Sequence, residues 1–219
     1  MLDQDMPLLA SQQEYYRARA GEYDDTFVPY QEAASGALID RLRSGQLSGD
    51  VLELASGTGY WTTHLVQRCR SLTAVDGSAE MIDTARGKGL TQVEYIHADL
   101  FTWEPDRQWD GVFFGHWLSH VPPALFEDFW ARVARALRPG GVVEFVDVTI
   151  REKDGELIDE QAPDVAVVRT LADGSNYRIV KLFFDAGDLL ERLNALGWEG
   201  TIDEAAPGFL YGQLRRSRS

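Results

Sequence analysis

Val51-Leu52-Glu53-Leu54-Ala55-Ser56-Gly57-Thr58-Gly59-Tyr60-Trp61 is a short apolar run that breaks into glycines and resumes as a helix. Val51, Leu52 and Leu54 predict a buried parallel strand, while Gly57 and Gly59 let the backbone turn tightly and approach a ligand closely. A dinucleotide fingerprint, G-x-G-x-x-G, uses its third glycine for close helix packing. Here that position is Thr62 and the acidic residue, Glu53, precedes the glycines. Both features disfavour a nicotinamide cofactor and point to another small ligand at this strand-to-helix turn.

Working outward, Leu72-Thr73-Ala74-Val75 predicts a second buried strand that stops at Asp76-Gly77-Ser78. An acidic residue at that strand end, about 20 residues beyond the glycines, suits the two hydroxyls of a ribose. The competing role is a helix N-cap, which Asp and Ser also favour. Val93 to His97 reads as a third strand and Trp109 to Phe114 as a fourth. Gly115-His116-Trp117-Leu118-Ser119-His120-Val121-Pro122-Pro123 then forms a loop at the carboxyl edge of the sheet, where open α/β folds hold ligands. Ala124 to Leu137 predicts an amphipathic helix stopped by Arg138-Pro139-Gly140-Gly141, and Val142 to Val148 a fifth strand. A helix capped by Asp185 and two closing strands follow. This alternation predicts an α/β fold with a doubly wound, seven-stranded sheet.

Four motifs in register, around Glu53, Asp76, Asp99 and Pro139-Gly140, resemble the class I S-adenosylmethionine (SAM)-dependent methyltransferases over roughly residues 11 to 215. The one departure is Ala55, where that family usually has its first glycine. The resemblance implies a Rossmann-like sheet and SAM as cofactor. It places Glu53, Ala55, Ser56, Gly57 and Trp61 from the first motif, Asp76, Gly77 and Met81 from the second, and Asp99, Leu100 and His116 around that cofactor. Met81 would lie against adenine and Asp99 would accept from its amino group. A core methionine is the alternative for Met81.

Before the glycine-rich strand, Ser11-Gln12-Gln13-Glu14 forms a capping box, so a helix is expected from Gln12 to about Gly21. Tyr16, Arg19 and Tyr23 share one of its faces. They form either an aromatic stripe packed on the body or a lid over the cofactor, and the family's N-terminal segment is similar to this one. Pro29 is expected to break the chain, with a second helix from Tyr30 to Leu42 turning Ala33, Ala37, Leu38 and Leu42 inward. Residues 11–44 thus read as a helical lid on a single methyltransferase domain spanning 1–219.

Residues 151–184 form a long connection, where acceptor specificity is expected to be built. Val165 to Leu171, a turn at Ala172 to Asn176, and Tyr177 to Phe184 predict a small β-hairpin insertion. If Leu171 pairs with Tyr177, then Arg169 opposes Ile179 and Val167 opposes Lys181. Arg169, Lys181 and Tyr177 would share one side as an anion clamp. The other reading is a solvated face, or cations paired with some of the 35 acidic side chains. His116 and His120 are candidates to orient the nucleophile or take a proton. In a helix they would also have i, i+4 spacing, but no third metal ligand is visible, so no metal is expected. The loop and hairpin together resemble a group of small bacterial methyltransferases that includes a phosphonate O-methyltransferase of antibiotic biosynthesis. That resemblance implies a hydroxyalkyl-phosphonate converted to its monomethyl ester, with Arg169 and Lys181 holding the phosphonate and Tyr30 closing on it.

Composition bounds these readings. The chain has 219 residues, 44% hydrophobic and 11% aromatic, enough for a well-packed domain. A net charge of -14 argues against nucleic acid and anionic membranes. An anionic substrate therefore needs a local cluster of cations. The single Cys69, no basic region ahead of an apolar run and no long apolar stretch predict a soluble cytoplasmic protein. A homo-oligomer is compatible with the sequence, as is a lid acting on a neighbouring copy. The alternatives are methylation of another small carboxylate or amine, and a SAM-binding subunit without chemistry.

Overall fold

A computed structural model describes residues 2–217; the side chains of residues 2–5 and 27–33 lie outside the described residues, and the expectations for Tyr30 and Ala33 fall there. The sheet is built from β1 (Asp50–Leu54), β2 (Ser71–Asp76), β3 (Val93–His97), β4 (Trp109–Gly115), β5 (Leu137–Val148), β8 (Trp198–Ala206) and β9 (Phe209–Arg216). Their spatial order is β3-β2-β1-β4-β5-β9-β8, seven strands in all, with β9 antiparallel to both β5 and β8 and the others parallel. The order reverses between β1 and β4, and the loops at their carboxyl ends part there to leave a crevice.

Alternation along the strands divides the core between two faces. Leu52, Leu54, Val112, Phe114, Val143 and Phe145 pack against α5 (Phe126–Ala136) and α6 (Ala186–Ala195). Val51, Phe113, Val142 and Val146 face Leu38, Leu42, Trp61 and Leu65 on the opposite side. Glu53 shares that second face, because it is one residue out of phase with Leu52 and Leu54.

The N-terminal helices differ from expectation. α1 runs Leu2–Arg19, so the helix passes through Ser11 instead of starting there. The Ser11 hydroxyl accepts the Arg178 backbone N–H at 3.0 Å, outside its own helix. α2 runs Tyr23–Ser44 straight through Pro29. Losing one helical hydrogen bond at proline costs about 3 kcal/mol, and full burial of Leu38 and Leu42 opposes that loss. Ala34, not Ala37, joins the buried stripe. The helix expected after the glycines is one short turn, α3, Thr62–Leu65.

β6 (Ala166–Thr170) and β7 (Asn176–Val180) form the hairpin, with a register displaced by two residues from expectation. Arg169 opposes Tyr177 and Val167 opposes Ile179, while Lys181 lies just beyond the pairing. An even displacement keeps every side chain on its face, so Arg169 and Lys181 still point to one side. α1 packs along this hairpin through Leu8, Ala166 and Val180, and through Tyr15, Val167 and Ile179. Among the described residues, no helix is long and apolar enough to cross a membrane.

Candidate active site

Two cavities meet above the carboxyl ends of β1, β2 and β4. The inner one lies between the first two motifs and is lined by Ala55, Gly57, Asp76, Gly77, Met81, Asp99 and Leu100, with Tyr16 and His116 among its other walls. Its backbone is strained where the sequence departed from the family: Ala55 has φ 54°. A left-handed conformation costs a non-glycine residue about 1 kcal/mol, which explains why glycine is usual there. At Gly59, φ 85°, an added Cβ would also press on the Ala85 Cβ at 3.1 Å, so the turn holds close against α4 (Ala79–Gly87).

Asp76 is buried, and its two oxygens accept the backbone N–H groups of Gly57 and Ser78, each at 2.8 Å. Burial pushes its carboxyl up, while those two donors pull it down. A carboxylate has about four acceptor sites, so it keeps capacity beyond these donors, which suits a hydroxyl-bearing ligand. Asp99 Oδ1 accepts the Phe101 N–H at 2.9 Å. Met81 is 1% exposed yet borders the cavity as an apolar wall, which unites its core and ligand roles. The Trp117 Nε1–H, also in this wall, is buried without a partner among the described residues. A carboxylate pair aimed into an apolar slot with an unspent indole donor fits an adenosine-bearing cofactor.

Four residues expected at the cofactor do not line this cavity. Glu53 faces the helix side, where its Oε2 accepts the Thr62 hydroxyl at 2.7 Å, and burial pushes its carboxyl up to about 8. Trp61 packs behind the turn against Phe113 and Gly115. Ser56 is buried beside the turn, its N–H donating to the Val75 carbonyl at 3.2 Å. Arg19 borders the outer cavity, with its guanidinium 4.8 Å from the Tyr23 ring centroid.

The outer cavity is bounded by α1, the hairpin and the segment after β5, and it contains both expected cations, Arg169 and Lys181. Neither is solitary. Arg169 Nη2 contacts Glu156 Oε1 at 2.5 Å, so the pairing alternative applies to it. Lys181 Nζ donates to the Ser119 hydroxyl at 3.1 Å, and the Ser119 N–H donates to Asp147 Oδ2 at 3.0 Å. Burial pulls the Lys181 ammonium down, and the charge of Asp147 opposes this. Tyr177 does not reach the cavity; it packs on Tyr15 with centroids 5.8 Å apart.

Tyr16, Tyr23, His116 and His120 border both cavities and form the partition between them. The expected helical spacing of the histidines is absent: His116 has φ 56° and lies before a short 3-10 turn at Leu118–His120. Burial, with the Lys181 charge second, holds His116 down at about 3 and His120 well below the usual imidazole range. Both rings are neutral near pH 7. Among the described residues, no group of three or more His, Cys, Asp or Glu is arranged to hold a metal.

Sequence reasoning missed Gln12, Phe101 and Trp117 at the inner cavity and Tyr15, Glu152 and Glu156 at the outer one. Gln12 is 3% exposed; its amide donates to the His120 carbonyl at 3.2 Å and accepts the Val180 N–H at 3.0 Å. Its only sequence signal, membership of a capping box, pointed to a different role. Asp24 accepts from Thr58 and pairs with Lys88 at 2.8 Å, which joins the start of α2 to the glycine turn and α4.

A family model described as a methyltransferase domain matches residues 51–141. The solved DhpI–SAH complex is 56% identical, with a TM-score of 0.89, over 98% of this chain and 99% of that one. A DhpI–SAM–HEP complex is 57% identical, with a TM-score of 0.88, over 95% and 98%. Trans-aconitate 2-methyltransferase of Azoarcus sp. (strain BH72) is 34% identical over 127 residues, 55% of this chain. The chain spans 48% of the length of that curated relative.

Proposed function

Because this chain belongs to the class I SAM-dependent methyltransferases, we propose that it methylates an oxygen of a small anionic metabolite, a hydroxyalkyl-phosphonate giving its monomethyl ester. The observation that carries this reading is the meeting of two cavities, one with Asp76 and Asp99 and one with Arg169 and Lys181, across a single partition. Likeness to DhpI, solved with SAM and HEP, supports it.

SAM, when bound, supplies a methyl group on a sulfonium, so an ionised acceptor oxygen takes the methyl as the carbon–sulfur electron pair returns to sulfur, with no proton to remove. The protein's work is then orientation, a large share of such a rate. Arg169 retains N–H donors beyond the one on Glu156, and its planar fork suits an oxyanion. Lys181 adds a second, point-like charge. The cations fix the acceptor on one side of the aromatic partition. His120 is not arranged as a base, because both of its ring nitrogens already have partners.

The test is Arg169→Ala beside Lys181→Ala, with SAM affinity and turnover on phosphonate, carboxylate and amine panels measured separately. Loss of phosphonate turnover by about 10-fold or more with SAM binding intact is expected, the scale of a charge-assisted contact. Unchanged turnover in both variants ends the phosphonate reading. Glu152 and Glu156 in the same wall as three tyrosines favour an amine acceptor as the second reading, and the amine panel decides it.

A further inference from the structure

The contacts of His120 determine which hydrogens lie in the partition. Its Nδ1 is 2.6 Å from the Val180 carbonyl oxygen. A carbonyl only accepts, so Nδ1 carries the hydrogen. The neutral ring then has a bare Nε2, which only accepts. That atom is 2.9 Å from the Tyr16 hydroxyl, so the phenol donates to it. A phenol has one hydrogen, and this one is committed. What the Tyr16 oxygen offers to either cavity is lone pairs alone.

The surrounding contacts hold this order in place. Gln12, one turn before Tyr16 on α1, bridges the His120 carbonyl and the Val180 N–H. The same two residues that orient the imidazole are therefore tied to the helix that delivers the phenol. The Tyr16 and His120 rings meet edge to face, with centroids 5.5 Å apart.

We propose that Tyr16 is an obligate acceptor facing the bound cofactor, with His120 as the positioning residue that makes it so, and that this pair favours the cationic cofactor over its neutral product. A lone-pair oxygen attracts a sulfonium and its polarised C–H groups and has no such attraction for a thioether. It also repels an oxyanion, which keeps the acceptor on the Arg169 and Lys181 side. The inference rests on the cofactor of the family and not on which acceptor is methylated.

The test is calorimetric titration of the full chain with SAM and with S-adenosylhomocysteine, each without acceptor, for wild type, Tyr16→Phe, His120→Asn and His120→Gln. Tyr16→Phe is expected to cut the preference for SAM over the product by roughly 3- to 10-fold, the scale of one ordinary net hydrogen bond. His120→Asn, which keeps a donor near Val180 but does not reach the phenol, should match it. The Tyr16→Phe/His120→Asn pair should lose no more than either alone, and His120→Gln, whose amide oxygen can accept from the phenol, should restore most of the preference. An unchanged ratio in folded Tyr16→Phe, or equal loss of both affinities, overturns the proposal. Independently, ¹⁵N spectra of the wild-type chain should show His120 protonated at Nδ1 alone; protonation at Nε2 overturns it even if a variant fails to fold.

Discussion

Asp76 Oδ2 accepts the backbone N–H of Gly57 at 2.8 Å, which joins the end of β2 to the turn that follows β1. The carboxylate thus shapes the glycine turn and faces the inner cavity at once. Asp76→Ala is expected to weaken S-adenosylhomocysteine binding at least about 10-fold, since charge-assisted hydrogen bonds contribute roughly 1.5–3 kcal/mol. Calorimetry on the folded variant checks it; wild-type affinity would remove Asp76 from the cofactor site.

Glu53 predicts a pH dependence of stability. Its carboxyl is raised from 4.5 to about 8 in the folded chain, so the native state binds this proton more tightly than the unfolded one. The stabilisation is fully present below pH 4.5 and is lost as pH rises through 8. Glu53→Gln keeps a partner for Thr62 and removes the titration. Relative to wild type, the variant should gain on the order of 2 kcal/mol or more between pH 5.5 and 8.5. Denaturant unfolding of the cofactor-free protein reads this directly, and a constant difference across that range contradicts it.

Gly115 is required by contact rather than by conformation. A Cβ there would overlap Trp61 Nε1 and Cδ1, and the indole is 5% exposed and packed on Phe113. Gly115→Ala should destabilise by about 1–3 kcal/mol, the range for overpacking, and weaken cofactor binding, because Gly115 lines the inner cavity. Gly36→Ala is the contrasting variant. Among the described residues, nothing lies within 4 Å of its added Cβ on α2, and a stabilisation of about 0.5–1 kcal/mol is expected. Thermal melts that rank the two the other way would refute the packing argument.

The strand runs and the residues at their ends were legible because buried parallel strands read as continuous apolar stretches and the turns after them need glycine and acidic residues at fixed offsets. Asp76, Met81 and Asp99 accordingly converge on one cavity. Glu53 was placed at the cofactor by its position in a motif. Strand alternation instead turns it to the face shared with Val51, under Thr62. The start of α1 was misread because Ser11 has cap-like neighbours, yet its hydroxyl serves a hairpin N–H 167 residues away.

The sequence by itself determined the order of strands and helices, the glycine turn beside the inner cavity and the side of the hairpin that carries Arg169 and Lys181. Those features follow from local periodicity, and side-chain parity survives a two-residue change of register. Only the tertiary structure decided that Arg169 contacts Glu156, that Lys181 donates to Ser119, and that Tyr16 spends its proton on His120. Each of these depends on distances between segments far apart in the chain. Hydrogen bonds and ion pairs act over a few ångströms, so no spacing in the sequence specifies them until packing of the helices on the sheet and hairpin brings the partners together.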